Sequence, residues 1–176
     1  MACLLLAALF VLLAACAPSP PAGPPSYDLP ARPVRDGEAP LHVPPTMSGD
    51  TQFELMGLTA GMTTVIGSHA DWPAKGQFVR LRVAVTNTAR TTALFDARHQ
   101  VLVASDGSTS HPSEDAMLIK RQPANVDLGS SVRLEFDLWF DIPKEAHPTA
   151  LRAFGGGTLT DLADDHSVDI PLSTGA

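Results

Sequence analysis

Cysteine is nearly missing from this sequence. There are two in 176 residues, Cys3 and Cys16, so nothing after position 16 can form a disulfide, a thiolate metal site or a cysteine nucleophile. Basic residues are scarce as well, with 12 Lys and Arg against 19 Asp and Glu and a formal net charge of −7, which leaves no basic face for a nucleic acid. No apolar run reaches the about 20 residues that a spanning helix takes. Cofactor and catalytic signatures are absent too. Gly155-Gly156-Gly157 is not followed by Gly-Lys-Ser/Thr, and no G-x-S-x-G, S-x-x-K, H-E-x-x-H or EF-hand spacing occurs. The chain is expected to be non-catalytic, with no cofactor.

What is present begins with an apolar run, Leu4 to Ala15, of signal-peptide length. It ends in Leu13-Ala14-Ala15-Cys16, which resembles the lipobox of bacterial lipoproteins. That resemblance implies cleavage before Cys16 and a diacylglycerol on its thiol, an anchor to the membrane without a transmembrane helix. No Lys or Arg precedes the run, so a start upstream of Met1, a weak signal or an uncleaved hydrophobic N-terminus stays open. From Ala17 to Met47 lie ten of the 16 prolines. Proline fixes φ and lacks an N–H, so residues 16–48 are expected to be a disordered tether and residues 49–176 the domain.

The domain patterning has period two. Val79, Leu81, Val83 and Val85 alternate with Arg80, Arg82, Ala84 and Thr86, and Val132, Leu134, Phe136, Leu138 and Phe140 alternate with Arg133, Glu135, Asp137 and Trp139. Each set predicts a half-buried antiparallel strand with its charges on a solvated outer face. Shorter strands are expected at 52–55, 62–66, 100–104, 150–154 and 167–170. Turns are expected at Ala74-Lys75-Gly76, Ser105-Asp106-Gly107 and Leu128-Gly129-Ser130, and a brief helix from Ser113.

The segments Gly76-Gln77-Phe78-Val79, Val85-Thr86-Asn87 and Phe140-Asp141-Ile142-Pro143 occur in an order that resembles a domain-of-unknown-function family of actinobacterial lipoproteins and secreted proteins. That family is related in fold to the mycobacterial immunoprotective secreted antigen, with a telokin-like, immunoglobulin-like fold. The resemblance covers roughly residues 50–172. It implies an all-β, immunoglobulin-like antiparallel sandwich outside the cytoplasm, and no shared activity.

The expected function is therefore binding or interaction at the cell envelope by a lipid-anchored domain on the extracytoplasmic face, with the membrane and an envelope or extracellular protein as partners. A small-ligand or metal carrier is the alternative. His42, Met47, Met56, Met62 and His69 are candidate soft-metal ligands, but no closely spaced H-x-M pair accompanies them. Asp164-Asp165-His166 is a candidate for a harder cation, or simply an exposed loop. Outward parity makes Trp139, with Arg133, a candidate contact surface, since Trp and Arg are enriched in interface hot spots. The competing expectation is that the stretch Leu159 to His166 folds over the indole.

Overall fold

The two longest strands form one hairpin. β1 (Ala39–Pro40), β2 (Thr46–Ser48), β3 (Thr51–Ile66) and β4 (Asp71–Asn87) open the chain of elements in this computed structural model, which describes residues 33–68, 70–159, 162 and 166–172. The signal run, Cys16, His69, Asp164 and Asp165 lie outside the described residues. After the hairpin come β5 (Ala93–Asp96), β6 (Val101–Ala104), β7 (Thr109–Ser110), the short helix α1 (Glu114–Ile119), β8 (Asn125–Leu128), β9 (Arg133–Ile142), β10 (Pro148–Phe154) and β11 (Ser167–Pro171).

These strands make an all-β antiparallel sandwich. One sheet runs β1-β3-β4-β9 with β2 also on β3; the other runs β11-β10-β6-β7; β5 and β8 pair separately. The β4–β9 ladder is regular, with Val79 opposite Phe140, Leu81 opposite Leu138 and Val83 opposite Phe136. Strand alternation puts these apolar pairs on one face, where they join Phe53, Leu102, Leu151 and Ile170 in a single core cluster. Phe95 closes it, 6.1 Å from Phe53 and 5.8 Å edge-on from Phe136. The second sheet is stitched to the first by Ser48 Oγ, which donates to His166 O at 2.8 Å, and by Thr51 Oγ1, which accepts from Gly156 N at 3.1 Å.

Several expected punctuation marks have their physical cause in view. Asn87 ends β4 by accepting from Ala89 N at 2.9 Å while its amide donates to Thr91 O and Leu128 O, each at 2.8 Å. β9 stops at Ile142, one residue before Pro143. Ala74-Lys75-Gly76, expected as a turn, is instead strand within β4. Gly76 is needed there for close approach, because a Cβ would strike the Ile142 carbonyl oxygen. Val132, expected as the first inward residue, precedes β9 and is exposed.

The expected tether boundary is corrected as well. The folded unit begins at Val34, not at 49. Ala39 and Pro40 pair with Leu58 and Gly57, Leu41 N donates to Met56 O at 3.1 Å, and the Leu41 side chain enters the core. Proline does not prevent this, because β1 is an edge strand and Pro40 sits where a missing donor is tolerated.

Surface carboxylates add a small acid-sensitive contribution. Hydrogen bonds from the Arg98 and Arg152 side chains hold Asp96 and Asp169 below the ordinary 3.8, and the Ser108 hydroxyl does the same for Asp106. A lowered folded-state value means that this stability is present above the unfolded value and lost as pH falls through the folded one. All three groups are solvent-facing, so the loss below pH 3.8 should be modest and screened by salt. Urea denaturation at pH 3 and pH 6 checks this, with Asp169→Asn expected to flatten the acid-side loss.

Candidate functional site

The outer face of the first sheet carries the polar residues, and it is not a solvated surface. The ladder sets Arg80 opposite Trp139, Arg82 opposite Asp137, Ala84 opposite Glu135 and Thr86 opposite Arg133. Two covers lie over them. The first is the strap 34–41, which turns at Gly37, where φ is +71°, and leads into β1. Glu38 drops its side chain beside Gly57, a position where any Cβ would meet the carboxylate. Its Oε1 lies 2.7 Å from Arg82 Nη2 and its Oε2 3.6 Å from Arg80 Nη2. The Glu38 and Arg82 side chains are both buried, so this is a buried ion pair. Further along, Arg35 Nη1 donates to both Asp137 oxygens, at 2.8 and 2.7 Å, and its Nη2 lies 3.9 Å from Glu135 Oε1. The strap thus ties β3, β4 and β9 together through three arginines and three carboxylates.

The second cover is the stretch 112–122. Ser113 N donates to Trp139 O at 2.7 Å and Gln122 Oε1 accepts from Asp137 N at 2.7 Å, so this stretch occupies the open edge of β9. Ser113 also starts α1 as expected, accepting from Ala116 N.

Trp139 is therefore not a contact surface. It has the expected outward parity but is 5% exposed. The ring lies between Arg80 and Lys120, whose cationic ends are 5.9 and 5.6 Å from its centre. The element that brings Lys120 over it is α1 with the residue after it; most of the stretch Leu159 to His166, the other expected cover, lies outside the described residues. Arg133 is partly exposed and bound to Glu54 at 2.7 Å, an ion pair that reaches across β4 from β9 to β3.

The open site lies elsewhere. At the start of β4, Trp72 and Pro73 form one wall of a cleft of about 760 Å³. The stretch from His111 to Asp115 supplies another wall, and Asp141 to Lys144 supplies the third. Trp72 is 45% exposed, a large apolar surface held against polar neighbours. Asp141 is a structural post, accepting from Lys75 N at 2.8 Å and Gly76 N at 3.0 Å. His111 Nδ1 lies 3.2 Å from Arg98 O, and Ser113 Oγ caps α1. Ser113, His111 and Asp141 are thus each engaged with backbone rather than with one another.

Sequence patterning missed this cleft, because its walls come from three separate stretches that only the fold assembles. The one local signal was Trp72-Pro73, a large aromatic at the head of a strand otherwise built from smaller residues. Among the described residues no group of three His, Cys, Asp or Glu has metal-holding geometry, and no helix is long and apolar enough to cross a membrane. No protein-family model, curated protein or solved structure matches the chain.

Proposed function

We propose that the chain is an extracytoplasmic, lipid-anchored binding module: Cys16 carries the acyl anchor, and the sandwich presents the Trp72 cleft to a ligand in the cell envelope. The observation that carries the binding reading is the half-exposed Trp72 ring on the wall of an open cleft. Exposed Trp costs solvation and is a common anchor of recognition sites. A binding rather than a catalytic reading is supported by the engagement of Ser113, His111 and Asp141 in the cleft with backbone rather than with one another. The anchor rests on the lipobox-like Leu13-Ala14-Ala15-Cys16 and on the resemblance to secreted and lipoprotein domains.

Two measurements test this. Acyl labelling and membrane fractionation should follow Cys16, so that Cys16→Ala abolishes the label and releases the protein; a variant that stays labelled and membrane-bound overturns the anchor. Solubilised envelope fractions should shift the intrinsic fluorescence of the purified protein, and Trp72→Ala should remove that shift. A response that survives Trp72→Ala, or no response from any fraction, overturns the cleft as the binding site.

A further inference from the structure

Given the Trp72 cleft as the binding site, we infer that its ligand is a neutral saccharide. The chemistry of the walls narrows the class. Lys75 and Lys144 offer only donors, and Glu114 and Asp115 offer only acceptors. The Nδ1 of His111 lies 3.2 Å from the Arg98 carbonyl, which engages that nitrogen and leaves Nε2 as the ring nitrogen for a ligand. Each oxygen of the Asp141 carboxylate already accepts one backbone N–H, from Lys75 and Gly76, so it has less acceptor capacity left than Glu114 or Asp115.

Charges of both signs line the same opening, Lys75 and Lys144 against Glu114, Asp115 and the backbone-bound Asp141. An anion drawn to the lysines meets Glu114 and Asp115, and a cation drawn to those carboxylates meets the lysines, so neither charge gains a clear preference. A purely apolar ligand would strip water from the ionised lysines and carboxylates of the walls and return no hydrogen bonds. A polyhydroxylated ring avoids each conflict. Its hydroxyls both donate and accept, so they can serve ammonium, carboxylate and imidazole alike. Its C–H face is apolar and flat enough to lie on the indole of Trp72. The cleft volume of about 760 Å³ admits more than one such ring.

The sequence has two tryptophans, which makes the test direct. Trp139 is buried and Trp72 half-exposed, so a change in the water-exposed part of the emission reports the cleft. The full chain in detergent is titrated with maltotriose and N-acetylated chitotriose as neutral probes, and with a glutamate-rich and a lysine-rich hexapeptide as charged ones. At least one neutral trisaccharide should give a saturable shift that Trp139→Phe retains. Trp72→Ala should weaken it at least tenfold, and Glu114→Ala with Asp115→Ala severalfold. Because the ligand carries no charge, the affinity should hold within about twofold from 50 to 500 mM salt. A saturable response to either peptide, or affinity that collapses with salt, overturns the saccharide class. If envelope fractions shift Trp72 emission while neither trisaccharide does, the class falls and the binding site stands. If nothing shifts it, both fall.

Discussion

Replacing Glu38 with alanine should lower the melting temperature by roughly ten degrees and release the strap. The Glu38 and Arg82 side chains are 1% and 5% exposed, so the substitution leaves buried guanidinium charge short of a counter-ion. Breaking a buried pair from one side costs about 3–5 kcal/mol, and in a domain of this size each kcal/mol is worth about 2–4 °C. The chain has one way to relieve that cost, which is to peel residues 34–41 away and let water reach Arg80 and Arg82. Trypsin then gains Arg35, whose guanidinium is otherwise held by Asp137 at 2.7 Å. Mass spectrometry of limited digests should therefore show faster cleavage after Arg35 in the variant. Gly57→Ala reaches the same state without touching a charge, because the added methyl takes the space of the Glu38 carboxylate. Combining the two should cost little more than either alone, since the first has already emptied the socket. Unchanged melting and unchanged cleavage in both single variants would mean that the socket does not hold the strap.

This strap also marks the limit of what patterning conveys. The period-two runs from 79 to 86 and, after the exposed Val132, from 133 to 140 set the faces of β4 and β9. The ladder pairs them as neighbours, with β9 at the edge of the first sheet. The regular parity from Arg80 to Thr86 and from Arg133 to Trp139 was legible because it is a local property of extended chain. What covers a face is not local. Arg35 and Asp137 are 102 positions apart, and no periodicity in either stretch announces their bond. Proline count misled for a related reason. It describes an average over 31 residues, whereas the strap needs only a two-residue edge pairing and one buried carboxylate to be fixed. The Trp72 cleft escaped for the same cause, having one wall from each of three distant stretches.

Trp139→Ala should cost about 3–5 kcal/mol of stability, the range for removing a buried aromatic ring. At 5% exposure the indole fills the space between the outer face of β4 and β9 and the segment from α1 to Lys120. Its loss also removes the surface over which the Arg80 and Lys120 cations lie. Trp139→Phe should behave very differently. The indole Nε1 is buried and finds no hydrogen-bond acceptor among the described residues, and such an unmet donor costs about 1–3 kcal/mol. Phenylalanine gives up some volume and some cation attraction but removes that donor, so its net effect should stay within about 1.5 kcal/mol of the parent. Chemical denaturation of the two variants checks the contrast. An exposed contact residue would give the opposite pattern, with both substitutions nearly silent in stability. A small loss for Trp139→Ala would mean that the cover over β9 is not packed on the ring. A large loss for Trp139→Phe would mean that the indole nitrogen is satisfied in solution, most simply by a water held beside Arg80.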